Sequence, residues 1–235
     1  MSTDNPVPAP RISVVLMAFN EAASLAKVAA EIHAELASLG ASYELVIVDD
    51  GSSDGTGKIA DGLAATLTGV RACHHVANLG LGAVYRTSFA EARGELVTFF
   101  PADGQFPATI ISRYVAAMDD TDMILGILPD RGGPVSARLL SRAERLLLRA
   151  LFGHFPRFQG IMMFRRSLLD STRLVSQGRG WTVLMEFILR QARAGARIKN
   201  LPITIRPRVD GASKVSNLRS ITSNLRQVLA LRLHL

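Results

Sequence analysis

Short runs that are apolar at nearly every position, separated by segments with helical spacing, recur through the first half of this chain. Ile12–Ala18, Tyr43–Val48, Glu95–Phe100 and Asp122–Gly126 read as such strands, and the more polar Val70–Val76 as a further one. A strand that is apolar on both faces needs cover on both, the condition of a parallel sheet held between two helix layers. The stretches between supply that cover. Glu21–Leu39 sets Leu25, Val28, Ala29, Ile32 and Leu36 along one helix face and stops at Gly40. Further helices are expected from the turn after the second strand to about Leu67, over Gly82–Arg93 and over Pro107–Met118. Strand and helix alternate about every 25 residues, which predicts an α/β fold with a mostly parallel sheet and right-handed crossovers. A chain of 235 residues, 48% of them hydrophobic, can bury one such core.

Several classes of function drop out early. No segment approaches the roughly 18 consecutive apolar residues of a membrane span. Residues 1–10 contain three prolines and lack a basic stretch followed by an apolar core, so they read as a flexible lead-in. The single cysteine, Cys73, excludes an internal disulfide and a CxxC zinc site. The five histidines show no metal-ligand spacing, and the adjacent His74 and His75 face opposite sides of a strand. No G-x-G-x-x-G follows the first strand, and no G-x-x-x-x-G-K-[ST] is present, which disfavours a nicotinamide-binding fold and a P-loop enzyme. Aromatics at 6% offer no stacking motif, so nucleic acid ranks last among partners.

Charge is unevenly spread. Residues 1–110 carry 6 basic and 12 acidic side chains, and residues 111–235 carry 21 and 8. The excess is almost all arginine, which suits bidentate phosphate contacts better than lysine does. A basic second half fits a phosphorylated substrate, an anionic lipid surface or a solvated face.

In a parallel α/β sheet, ligands bind at the carboxyl ends of the strands. Here those ends read Ala18-Phe-Asn-Glu21, Val48-Asp-Asp50 and Phe100-Pro-Ala-Asp103, so three strands deliver carboxylates to one edge. Helix capping accounts for Asp54 and Thr56. It accounts poorly for Asp49 and Asp50, adjacent acids at the end of a buried strand, whose repulsion needs a compensating partner.

Four motifs in order resemble the family 2 inverting glycosyltransferases: Ser13-Val-Val-Leu-Met-Ala-Phe-Asn-Glu21, Glu44-Leu-Val-Ile-Val-Asp-Asp-Gly-Ser-Ser-Asp-Gly-Thr56, Asn78-Leu-Gly-Leu-Gly82 and Pro101-Ala-Asp-Gly-Gln-Phe-Pro107. The later stretch with Glu186, Arg190, Gly195, Ile198–Ile203, Arg208, Gly211 and Lys214 is similar to that of dolichyl-phosphate mannose synthases and bacterial polyprenyl-phosphate glycosyltransferases. The resemblance implies a GT-A fold over residues 11–215; residues 216–235 repeat a basic-apolar pattern of their own and read as a C-terminal amphipathic helix, either interfacial or a dimer or core helix. The resemblance also implies that Met17, Phe19 and Glu21 line the nucleoside pocket, with Asp49 and Asp50 on the base or ribose. Ala102, Asp103 and Gln105 would lie at the diphosphate, Asp103 and Gln105 holding Mg²⁺ or Mn²⁺. Arg208 and Lys214 would close over the phosphates. A divalent cation with oxygen ligands and fixed basic groups is what a diphosphate leaving group requires. Two positions depart from the family pattern: Pro101 replaces the first acid of the Asp-x-Asp motif, and Phe19 replaces a tyrosine.

For the acceptor, Ala137–Phe152 sets Arg138, Arg142, Arg145 and Arg149 along one stripe of an otherwise leucine-rich helix. Such a basic amphipathic helix suits a membrane interface, and equally an ordinary helix packed on the sheet. The resemblance implies that Arg131, Arg138 and Ser141, or Arg142 in place of Arg138, hold a lipid phosphate. The expected reaction moves a sugar from a nucleotide-diphosphate sugar to a polyprenyl phosphate, peripherally at the cytoplasmic face of the membrane. Two alternatives stand beside it: a saccharide hydroxyl acceptor with Glu186 as the general base, and a degenerate, non-catalytic nucleotide-sugar binder. The bland role of Glu186 is pairing with Arg190 one helical turn on.

Overall fold

The computed structural model describes residues 9–128, 146, 149–153, 156–207, 227–229 and 231–232. Seven strands occur among the described residues: β1 (Ile12–Ala18), β2 (Tyr43–Asp49), β3 (Val70–His74), β4 (Leu96–Pro101), β5 (Met123–Ile127), β6 (Met162–Arg165) and β7 (Ile198–Pro202). They form one sheet in the order β3-β2-β1-β4-β6-β5-β7. All neighbouring pairs are parallel except those of β6, which runs antiparallel to both β4 and β5. The sheet is therefore mostly parallel, as the alternation predicts. The reversed strand had no counterpart in the sequence reading.

Among the described residues, these helices flank it: α1 (Leu25–Ser38), α2 (Thr56–Thr66), α3 (Leu81–Glu91), α4 (Ile110–Ala116), the short α5 (Ser167–Asp170) and α6 (Thr182–Arg193). In β1, Val14 and Leu16 join one core layer with α1 and α4, while Val15 joins the other, with α3 and α6. All three side chains are fully buried, which is the two-sided burial that the apolar runs require. The five helix-face residues from Leu25 to Leu36 are likewise buried. Each of the buried Leu, Val and Ile side chains stabilises the fold by about 1.5–3 kcal/mol relative to exposure. On the α6 side, Phe89, Phe99, Phe164 and Phe187 meet ring to ring at 4.9–6.0 Å between centroids.

Register makes the carboxyl edge level. Ala18 lies opposite Asp49, Met17 opposite Pro101, and Asp49 opposite His74. Two elements differ from expectation in ways that matter at this edge. The first helix begins at Leu25 and not at Glu21, because the backbone of residues 20–22 bonds to the loop after β2. The third strand ends at His74, and Val76 beyond it is fully exposed.

The described part of the C-terminal segment packs inward: Val228 and Leu231 are buried with Phe152, Met185 and Leu189, whereas Leu229 is exposed. Most of the expected lead-in and much of the 216–235 segment lie outside the described residues. Among the described residues, no helix is long and apolar enough to cross a membrane.

Candidate active site

The edge is assembled by hydrogen bonds that continue each strand past its end. Asp50 N–H donates to the Ala18 carbonyl and Ala102 N–H to the Met17 carbonyl, each at 2.9 Å. The β1 loop is then locked to the β2 loop. Asn20 takes a left-handed conformation, with φ at 51°. Its N–H donates to Ser52 Oγ at 2.8 Å, and its Oδ1 accepts from Ser53 N–H at 2.9 Å. Glu21 N–H donates to Thr56 Oγ1, and Ala22 N–H to Asp54 Oδ2. Asp54 also accepts from the Thr56 N–H and hydroxyl, so it ties the first residue of α2 to the neighbouring loop, while Gly55 and not Asp54 or Thr56 takes the N-cap position. Burial pushes the Asp54 carboxyl up, but the bonds from Thr56 and Ala22 outweigh it and hold the group below its ordinary value. Gly51 closes the turn: its φ is +67°, and a Cβ there would lie 2.3 Å from the Ala77 carbonyl carbon.

The repulsion between Asp49 and Asp50 is relieved by the two adjacent histidines. Asp49 Oδ2 lies 3.2 Å from His74 Nδ1, and His74 Nε2 reaches Asp61 of α2 at 2.9 Å. Asp50 Oδ1 lies 2.7 Å from His75 Nδ1, and His75 Nε2 reaches Thr87 of α3 at 2.8 Å. The imidazoles thus point to opposite faces, as strand alternation requires. Asp50 also accepts from Asn78 Nδ2 and from the Leu79 and Gly80 N–H groups, each at 2.9 Å. Four donors surround this buried carboxylate, which therefore fixes the Asn78–Gly80 loop at the edge.

Asp103 is buried just past β4, and its Oδ1 accepts from Gln105 N–H at 3.1 Å. Buried Ala102 and half-buried Met17, Phe19, Glu21 and Gln105 lie along the same edge. Glu21 Oε2 accepts from the Ser24 hydroxyl. Arg206 N–H donates to the Gln105 carbonyl at 2.7 Å, so the chain returns to the Asp103 turn two residues before Arg208. Among the described residues, no group of three or more His, Cys, Asp or Glu side chains could enclose a metal. The donor set at Asp103 instead fits a hard cation completed by ligand oxygens and water.

Glu186 on α6 is fully buried. Its carboxylate accepts from Val175 N–H at 3.0 Å, Ser176 N–H at 2.8 Å and Arg190 Nε at 2.8 Å. Burial raises its pKa, but these donors outweigh burial and leave it lowered. The contact with Arg190 is the i,i+4 ion pair expected as the bland role. Arg131, Arg138, Ser141, Arg142, Arg208 and Lys214 lie outside the described residues. A cleft of about 590 Å³ at the opposite edge of the sheet, between Arg11, Arg93, Arg165 and Arg166, contains none of the expected site residues. Sequence reasoning missed the loop ties made by Asn20 and Ser52. It also missed Arg179, whose Nη2 donates to the Asn78 carbonyl and Oδ1.

Comparisons with known proteins bear on the family and the fold. Residues 13–173 match the model of the family described as glycosyl transferase family 2. The chain is similar to an undecaprenyl-phosphate mannosyltransferase of Micrococcus luteus, 32% identical over 74% of this chain and 76% of that protein. It is similar to a polyprenol monophosphomannose synthase of Mycolicibacterium smegmatis, 28% identical over 94% and 85%. Among solved structures, a glucosyl-3-phosphoglycerate synthase of Mycobacterium tuberculosis, crystallised with Mn²⁺, uridine diphosphate and glucosyl-3-phosphoglycerate, superimposes with a TM-score of 0.66 at 22% identity, covering 93% of this chain and 80% of that one. That likeness supports the GT-A fold expected from the motifs.

Proposed function

Since the chain belongs to glycosyl transferase family 2, we propose that it transfers a sugar, with inversion, from a nucleotide-diphosphate sugar to a polyprenyl phosphate. The observation that carries this reading is the single edge at which β1, β2 and β4 end, with Asp50 and Asp103 both buried there and the loops between them cross-bonded. The Micrococcus relative is an undecaprenyl-phosphate mannosyltransferase and the Mycolicibacterium relative a polyprenol monophosphomannose synthase, which supports a polyprenyl-phosphate acceptor here. The arginine-rich second half suits such an acceptor.

In this reading the donor nucleoside lies along Met17, Phe19, Glu21 and the Asp49–Asp50 turn. The diphosphate lies at Ala102, Asp103 and Gln105, with Arg208 and Lys214 closing over it. Asp103 and Gln105 would hold Mg²⁺ or Mn²⁺, which would supply Lewis-acid charge stabilisation for a diphosphate leaving group. Arg131, Arg138, Ser141 and Arg142 hold the acceptor phosphate. A phosphate acceptor is already anionic, so it attacks the anomeric carbon without a general base. It needs orientation and charge neutralisation, which arginines provide. Glu186, with its oxygens engaged by three donor residues, is not required as a base. In this reading the protein meets the lipid phosphate peripherally, at the cytoplasmic membrane face.

The test is a panel of UDP- and GDP-sugars incubated with undecaprenyl phosphate vesicles and Mn²⁺. A lipid-linked sugar phosphate with inverted anomeric configuration is expected. Transfer only to a saccharide hydroxyl, or no transfer with any donor, overturns the proposal.

A further inference from the structure

Two buried carboxylates, Asp50 and Glu186, stand at the ends of one continuous run of contacts. At one end Asp50 holds the Asn78–Gly80 loop through the Asn78 side chain and two backbone N–H groups. At the other, Glu186 holds the strap that precedes α6, through the Val175 and Ser176 N–H groups. Arg179 joins the two, donating from Nη2 to the Asn78 carbonyl at 2.8 Å and to Asn78 Oδ1 at 2.9 Å. Gly82 N–H, in the first turn of α3, donates to the Arg179 carbonyl at 2.9 Å. The fit leaves no room for side chains: a Cβ on Gly82 would lie 1.9 Å from the Gly178 carbonyl oxygen, and one on Gly80 would lie 2.8 Å from that of Arg179. Arg86 of α3 adds bonds to the Ser176 and Gly178 carbonyls.

We propose that Glu186 is a positioning residue for the donor site: it fixes the 175–180 strap, which through Arg179 sets the Asn78–Gly80 loop beside Asp50. The inference rests on reading this edge as the nucleotide-sugar site, and it assigns Glu186 a role other than that of the base. A base needs a lone pair directed at the substrate. Both Glu186 oxygens instead point into the strap and Arg190. Removing the negative charge leaves the Arg190 contact and the strap amides with a poorer acceptor, so the loosening is transmitted towards Asn78.

The experiment compares Glu186→Gln and the surface variant Arg179→Ala with wild type. Binding of UDP and GDP with Mn²⁺ is read by calorimetry, backbone amide exchange by mass spectrometry, and turnover at saturating donor with its pH profile. Both variants are expected to weaken nucleotide binding about tenfold and to speed amide exchange over residues 79–82. Turnover at saturating donor should stay within about threefold of wild type, with its pH profile unmoved. Loss of turnover in Glu186→Gln with nucleotide affinity and exchange unchanged overturns the proposal in favour of a base. Lower melting temperatures with unchanged affinity and exchange overturn it in favour of a purely structural role. If wild type binds neither nucleotide, the functional reading fails, and exchange at 79–82 alone decides whether Glu186 governs the loop.

Discussion

His74 Nδ1 lies 3.2 Å from Asp49 Oδ2, at the point where β2 and β3 leave the sheet together. Its other nitrogen meets Asp61 at 2.9 Å, so one imidazole is bracketed by two acids. Burial pulls the His74 pKa down, but both carboxylates pull it up and win, leaving it above its ordinary 6.5. A raised pKa in the folded state means the protonated pair stabilises fully below pH 6.5 and fades as pH rises through the folded value. The side chain is 37% exposed, so screening reduces the effect to about 0.5 kcal/mol. Urea midpoints measured from about pH 5 to 9 should therefore drop further in wild type than in His74→Asn. Parallel curves for the two proteins would refute the bracket.

Gly51 and Gly40 both have positive φ, at +67° and +62°, but only Gly51 faces backbone at 2.3 Å. Gly40→Ala therefore bears only the conformational strain, about 1 kcal/mol. Gly51→Ala adds a clash with the Ala77–Asn78 backbone and should cost about 3 kcal/mol or more. For a chain of this size that gap is a further fall in melting temperature of about 4–8 °C. Equal melting of the two variants would mean that the 51–77 approach is not tight.

Asp122, at the start of β5, receives Arg197 through its N–H at 2.9 Å and its guanidinium at 2.8 and 3.1 Å. Arg197 draws the carboxyl from its ordinary 3.8 down to about 2. A lowered folded pKa contributes stability above the unfolded value, lost as pH falls through the folded one. The loss therefore belongs between pH 3.8 and about 2. Acid titration followed by circular dichroism should show Asp122→Asn less stable than wild type at neutral pH, the difference closing across that window. A constant difference down to the lowest pH would contradict the assignment.

The parallel core was legible because burial on both faces leaves a direct mark in the sequence: Val14, Val15 and Leu16 are all apolar and all covered. The sheet edge was legible as a place, since Asp49, Asp50 and Asp103 each follow such a run. What each acid does there was less so. Asp50 is saturated by His75 and by the Asn78–Gly80 loop, and those partners come from residues 25 to 30 positions away. The compensating partners that the Asp49–Asp50 pair demands are His74 and His75, which only the structure joins to them. The start of α1 was misjudged because Glu21 and Ala22 have helical spacing, yet their N–H groups are taken by Thr56 and Asp54. Antiparallel β6 leaves no trace, because Met162, Met163 and Phe164 are buried in the same way whichever direction they run.

Asp103 is the acid on which the proposed metal site depends, because Pro101 stands where a second carboxylate is expected. Asp103 is 5% exposed, and its Oδ1 accepts the Gln105 N–H. Asparagine keeps an acceptor oxygen for the Gln105 N–H and nearly the same side-chain volume. It removes the anionic oxygen that a hard divalent cation requires. Calorimetry with UDP and GDP should show that Mn²⁺ tightens binding to wild type, and that the metal-dependent part falls about a hundredfold in Asp103→Asn. Pro101→Asp, which supplies the missing carboxylate opposite Met17, should move Mn²⁺ half-saturation to lower concentration. Undiminished Mn²⁺-linked nucleotide binding in Asp103→Asn would remove this residue from the metal site.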